Sequence, residues 1–247
     1  RYTKKEIKEM CEYASNFGVE IIPCIQTLSH LNGMLRWRKY ENLRDTERTL
    51  LAKNESSLVL IEKMIKTIAE SFTSKIIHIG MDEAHDLGLK SFLENKEINK
   101  KELFLSHLNK VVDLCKKYNL SPMMWGDMFF KIEPNLPADW YNFEGFLSKK
   151  TKSLIPADLT LIYWDYYHDD VNAYNKMFKA FKNTNRNIVF ASGEITWIGF
   201  APNITSSLRK MNAGLQAAVN NKIDDVFMTT WGDGGNECSA TAGYALV

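Results

Sequence analysis

The chain is poor in the features that most readily assign a protein. It has only four cysteines, Cys11, Cys24, Cys115 and Cys238, and no CxxC pair. That spacing excludes a disulfide scaffold and supplies no zinc ligand set. Cys11, Cys24 and Cys115 lie in apolar segments and are expected to be buried thiols. No run approaches 18 consecutive apolar residues, so no membrane-spanning helix is expected. Thirty-one basic residues face 30 acidic ones, for a net charge of +1, so no field recruits nucleic acid or an anionic membrane. There is no internal repeat and no low-complexity linker. No signal peptide is visible, which together with the missing disulfide pattern favours the cytoplasm. The chain opens on Arg1-Tyr2-Thr3, and an upstream segment is expected to be missing. Asn54-Glu55-Ser56 and Asn203-Ile204-Thr205 are sequons of the kind an Asn-rich chain produces by chance.

What is present is an alternation of helix and strand patterns. Thr3 and Glu6 form a capping box for a helix to about residue 17, stopped by Gly18. Apolar residues at helical spacing, Leu58, Ile61, Ile65 and Ile68, predict a helix over 58–72. Further helices are predicted over 103–118, 170–182 and 207–221. Strands are predicted over 19–28, 75–82, 121–128, 159–166, 187–196 and 225–231, and 131–157 is mixed with one short helix. Six strands, each separated from the next by a helix, imply a parallel sheet covered by helices. An open doubly wound sheet and a (β/α)8 TIM barrel compete. The barrel is favoured because every strand carries polar residues at its C-terminal end, where a barrel gathers its site. On this reading 1–247 is a single catalytic domain with about six of eight β/α units. Two units are missing at the N-terminus, and the last helix is cut at Val247.

The most informative segment is His78-Ile79-Gly80-Met81-Asp82-Glu83. Two adjacent carboxylates at the mouth of a buried strand repel one another and resist desolvation, so stability alone does not explain them. Strand parity places His78, Gly80 and Asp82 on the inner face, with Glu83 reaching over the rim. The pattern aromatic-x-Asp recurs at Trp125/Asp127, Tyr163/Asp165 and Trp231/Asp233. Aromatic walls with carboxylate acceptors suit a neutral polyhydroxylated ring, whose CH faces lie on aromatics and whose hydroxyls donate to the acids.

These residues resemble glycoside hydrolase family 20, the β-N-acetylhexosaminidases. The match runs through His78-Ile-Gly-Met-Asp-Glu83, the Ile22-Pro23 to His30 strand, Tyr163/Asp165, and Trp231/Asp233. Met81 stands where the family usually has a second glycine, and the family's strand-one arginine has no counterpart. The resemblance implies strands three to eight of a barrel. It also implies an exo-acting retaining hydrolase that removes terminal β-linked GlcNAc or GalNAc, with the substrate's acetamido oxygen as nucleophile and an oxazoline intermediate. Glu83 would be the general acid and base, Asp82 would orient the acetamido N–H, and Tyr163 would donate to the acetamido oxygen. Trp125, Trp197 and Trp231 would enclose the acetamido methyl and the sugar face. Asp127, Asp165, Asp233 and Glu237 would meet sugar hydroxyls, and His30 and His78 would support Asp82. No cofactor and no metal are implied. A homodimer is left open, because neighbouring subunits can complete such pockets.

Trp164 has the opposite parity to Tyr163 and is expected in the core against a helix. Trp37 and Trp140 either line an outer subsite or pack beneath their loops. His85 and His168 are expected to be loop residues without a role. Asp82-Glu83-Ala84-His85 spells a helicase DEAH box, but no GxxxxGK[ST] loop accompanies it. A non-catalytic sugar-binding barrel, and a glycosidase using an enzyme carboxylate as nucleophile, remain as rivals.

Overall fold

The computed structural model describes residues 2–94, 97–133, 136, 145–198 and 201–232. They begin with α1 (Lys4–Ser15), α2 (Asn32–Leu35), a 3-10 turn (Arg38–Leu43), α3 (Glu55–Ser71) and β1 (Ile76–His78). Then come α4 (Leu89–Leu93), α5 (Lys100–Lys117), β2 (Ser121–Trp125), α6 (Asp127–Lys131) and α7 (Lys149–Leu154). The order ends with β3 (Thr160–Trp164), α8 (Val171–Lys182), β4 (Ile188–Glu194), α9 (Ile204–Asn220) and β5 (Val226–Thr230). The chain divides into two compact units: Arg1–Met124 with Ser153–Leu159, and Trp125–Lys152 with Thr160–Val247.

In the first unit, the helix starts are set by side chains that satisfy otherwise orphaned backbone N–H groups. Thr3 and Glu6 form the expected capping box on α1. Asn54 accepts from Ser57 N at 3.1 Å on α3, and Asn99 accepts from Glu102 N at 3.1 Å on α5. The first sequon asparagine is thus a helix cap. Helix α5 turns Phe104, Leu108, Val111 and Cys115 inward. β1 and β2 pair in parallel, His78 opposite Met123, with α4 and α5 as the crossover.

In the second unit, β3, β4 and β5 pair in parallel, Tyr163 opposite Phe190 and Glu194 opposite Thr230. Helices α8 and α9 are the crossovers, capped by the side chains of Asp170 and Asn203. The core between strands and helices is aromatic. Tyr163 packs at 5.1–5.5 Å (ring centroids) from Phe178, Phe181 and Phe190. Burying each such ring is worth about 1.5–3 kcal/mol. Gly214 of α9 permits the close approach, since a Cβ there would lie 2.6 Å from the Phe190 ring.

Three strands differ from expectation. Residues 19–28 form no strand and make one parallel bridge, Cys24 to His78. Pro23 has no N–H to extend the ladder, and Cys24 is exposed rather than buried. β1 stops at His78 because the chain then turns through left-handed conformations. The strand expected over 121–128 stops at Trp125, and Asp127 opens α6 instead. Five strands, not six, are therefore present among the described residues. No helix among them is long and apolar enough to cross a membrane.

Candidate active site

The carboxylates of the first unit sit on a turn, not on a strand. Beyond His78, φ is +70° at Gly80, +72° at Met81 and +48° at Glu83. Two of these are non-glycine residues in the left-handed region, a costly conformation that surrounding bonds must hold. His78 Nδ1 accepts from Gly80 N at 3.0 Å, and the Cys24 thiol lies 3.4 Å from the same nitrogen. The Gln26 amide then clamps the turn, accepting from Met81 N at 3.2 Å and donating to Asp82 Oδ1 at 2.9 Å. Only glycine fits beneath it, because a Cβ on Gly80 would lie 2.0 Å from Gln26 Oε1. His85 N donates to Glu83 O at 2.7 Å, and Arg48 Nη2 reaches the same carbonyl at 3.3 Å.

The electrostatics separate the two acids from their supports. His30 Nε2 lies 3.1 Å from Asp82 Oδ2 and 3.7 Å from Glu83 Oε2. Burial pushes the Asp82 pKa up, but the hydrogen bond and charge of His30 and the Gln26 amide outweigh it. The net shift is downward, and Asp82 is held ionised. The Asp82 hydrogen bond in turn raises the His30 pKa against the opposing effect of burial. Burial pushes His78 down to about 4, against the pull of the Asp82 charge, so His78 is neutral. Glu83 is the more open acid, its side chain 36% exposed against 17% for Asp82.

In the second unit the aromatic residues gather, in a different arrangement from the expected one. Trp125 and Trp231 meet edge to face at 5.8 Å. Trp231 Nε1 donates to the Tyr166 hydroxyl at 3.1 Å. Tyr166 stacks on Trp164 at 5.6 Å and meets Trp197 at 5.3 Å. Gly193 makes room for it, since a Cβ there would stand 2.8 Å from the Tyr166 ring. Thr196 Oγ1 donates to Trp231 O at 2.6 Å, tying the wall together.

Three expected site residues lie apart from this aromatic group. Tyr163 is wholly buried against α8, and its hydroxyl donates to Asp165 Oδ2 at 2.7 Å. Burial and the Asp165 charge raise its pKa well above normal. Asp165 is also buried and accepts from Tyr167 N at 2.9 Å, and His168 Nδ1 lies 2.6 Å from it. It anchors the strand exit, and His168, expected to be idle, is part of that anchor. Trp164, expected on the helix side, joins the aromatic group. Parity separates Tyr163 and Trp164 as expected, but their faces are interchanged. Asp127 is fully buried in the first turn of α6, 3.5 Å from Lys131 Nζ. Asp233, Glu237 and Trp140 lie outside the described residues.

Gln26, Arg48 and Tyr166 had no role assigned from sequence. Gln26 lies on the predicted strand that ends at His30, so its position was visible but not its partner 56 residues away. Among the described residues, no cluster of three or more His, Cys, Asp or Glu is placed to hold a metal ion.

The sequence model of glycosyl hydrolase family 20, catalytic domain, matches residues 1–221. Hexosaminidase D of Bos taurus is 29% identical over 178 residues, covering 68% of this chain and 48% of the relative. Hexosaminidase D of Homo sapiens is 28% identical over 178 residues, covering 68% of this chain and 34% of the relative. The chain therefore spans half or less of the length of these relatives. The solved β-N-acetylhexosaminidase from Bacteroides fragilis superposes with a TM-score of 0.62 at 18% identity, over 95% of this chain and 46% of that one. The Streptomyces plicatus N-acetyl-β-hexosaminidase, in complex with Thio-NAglucal, gives 0.54 at 18% identity, over 81% and 36%. At such identities the likeness shows the fold, the TIM-barrel type, of which the parallel strands here are a part.

Proposed function

The chain belongs to glycosyl hydrolase family 20, and from that premise we propose that it serves an exo-acting retaining β-N-acetylhexosaminidase that works through an oxazoline. The observation that carries this reading is the clamp on Asp82. Gln26 and His30 hold it ionised beside a more open Glu83. A fixed carboxylate of this kind accepts the acetamido N–H and stabilises positive charge as it develops on the acetamido group. In the first step the acetamido oxygen attacks the anomeric carbon while the glycosidic C–O bond breaks, and Glu83 gives its proton to the departing oxygen. In the second, water attacks the same carbon, Glu83 takes a proton from it, and the oxazoline C–O bond opens. The reacting sugar is a terminal β-linked N-acetylhexosamine.

Trp125, Trp197 and Trp231 are assigned to the acetamido methyl and the sugar face. Tyr163 packs against α8 and its hydroxyl already donates to Asp165, so the donor role is assigned to Tyr166. Its hydroxyl accepts from Trp231, and a hydroxyl that accepts a bond still carries one O–H donor. Asp233 and Glu237 keep the sugar hydroxyls as expected partners. The five strands among the described residues, with the segment 19–28 before them, are assigned to strands three to eight of the family barrel. The test is hydrolysis, by the full-length protein, of matched 4-nitrophenyl N-acetyl-β-glucosaminide, N-acetyl-β-galactosaminide and β-glucoside. Preference for either acetamido substrate is expected. Equal cleavage of the glucoside would instead favour an enzyme carboxylate as nucleophile, and failure to cleave any would favour a sugar-binding barrel.

A further inference from the structure

The loop that follows His30 has no part in the function proposed above, yet it carries a cationic and aromatic surface. Two clefts that share Gly33 open on it. One, of about 440 Å³, is lined by Arg36, Arg44 and Glu47 among others. The second, of about 680 Å³, includes Trp37, Arg38, Lys39 and Tyr40. Packing does not account for Trp37. Leu31 and Leu35 anchor this loop in the core, whereas Trp37 is 56% exposed. The Arg36 guanidinium lies 5.2 Å from the Trp37 ring, and the Lys39 ammonium 4.7 Å from the Tyr40 ring. Arg44 Nη2 donates to Trp37 O at 3.2 Å, which fixes the backbone beneath the indole. Arg44 Nε is buried and has no partner among the described residues. Four cations thus line the clefts, opposed there by the single carboxylate of Glu47.

The loop is tied directly to the acid. His30 lies 3.7 Å from Glu83, and the first cleft begins two residues later, at Asn32. The returning segment of the loop closes the tie, Leu31 N donating to Arg48 O at 3.0 Å and Arg48 reaching the Glu83 carbonyl. Below it, Thr46 and Thr49 donate to Asp86, which pins the same loop to the segment after Glu83.

We propose that these clefts form the leaving-group subsite, and that it takes a sugar bearing an anionic group. The inference rests on Glu83 as the acid, because the oxygen Glu83 protonates belongs to the leaving sugar, and the loop adjoins Glu83 through His30 and Arg48. The chemistry of the lining selects the ligand. An exposed indole offers a face for the CH side of a sugar ring, and guanidinium groups pair with carboxylate or sulfate. A neutral sugar would use the indole and bring no anion to the cations.

Calorimetric titration tests this in the full-length protein carrying Glu83→Gln, so that binding is read without turnover. Three disaccharides are compared: N-acetyl-β-glucosamine linked to glucuronic acid, to glucose 6-sulfate, and to glucose. The two acidic ligands are expected to bind roughly tenfold more tightly than the neutral one, an advantage that shrinks as salt is raised. Arg36→Ala and Lys39→Ala, both on the exposed loop, should each reduce that advantage. Tight binding of only one acidic ligand supports the proposal and identifies the anion. Equal affinities, or no measurable binding by any of the three, overturn it. Failure of the unmodified protein to cleave the nitrophenyl substrates would instead fall on the hydrolase reading.

Discussion

The exits of β1 and β3 look alike in sequence and differ in what they do. Each strand ends in an aromatic or imidazole residue, and each exit carries an acid within a few positions. At β1 the chain leaves the strand through positive φ angles, and Asp82 is caught by Gln26 and His30 beside a solvent-reachable Glu83. At β3 the acid folds back against its own strand. Asp165 accepts from Tyr163 and from the backbone of Tyr167, and is buried. A carboxylate whose acceptor sites are filled by its own neighbours is an anchor. Asp82 takes one distant side chain on each oxygen, Gln26 on Oδ1 and His30 on Oδ2, and a carboxylate oxygen accepts more than one bond.

The sharpest test of the β1 exit is Glu83→Gln. It should lower turnover of N-acetyl-β-glucosaminides with poor leaving groups by about 10²–10⁴-fold. The loss should be much smaller with 4-nitrophenyl, which needs little protonation. A uniform loss across leaving groups would remove Glu83 from the acid role. Asp82→Asn comes next. Removing the charge that faces a developing cation should cost about 10²–10³-fold in kcat while KM changes little. Steady-state kinetics on the same substrates would show it.

At β3 the comparison predicts the opposite kind of effect. Tyr163→Phe should destabilise by about 1–3 kcal/mol, because a buried Asp165 loses a donor, and should leave kcat nearly unchanged. Tyr166→Phe should lower kcat and leave the urea midpoint near that of the parent. If the two variants exchange these signatures, the assignment of faces on β3 is wrong.

The smallest expected effect is in pH dependence. The lowered pKa of Asp82 stabilises the fold above its unfolded value, about 3.9. That contribution is lost as pH falls through the folded value. The raised pKa of His30 acts on the other side. Its contribution is full below the unfolded value, about 6.5, and is lost as pH rises through the folded value. The pair therefore supports the turn from moderately acidic to near-neutral pH. His30→Ala should flatten the alkaline limb of a midpoint-against-pH curve by only a fraction of a kcal/mol, since the imidazole is partly solvated. An unchanged limb would place His30 outside the Asp82 clamp.

What sequence could read, it read through local physics. Thr3 with Glu6, and Leu58, Ile61 and Ile65, act within one or two turns of chain, so the α1 cap and the α3 face were legible. The paired acids at Asp82 and Glu83 were legible for the same reason, since their mutual repulsion is written in adjacent positions. Parity has a limited range. Period 2 holds only while the ladder holds, and β1 and β2 end at His78 and Trp125, before the acids they were meant to carry.

Local pattern therefore sets the alternation of strands and helices and the location of the two acids. The folded chain settled which face each strand end presents, because that depends on where hydrogen-bonded pairing stops. It also decided what holds Asp82 in place, because Gln26 and His30 reach it across more than fifty residues of chain. Contacts at that separation leave no local trace in composition or spacing.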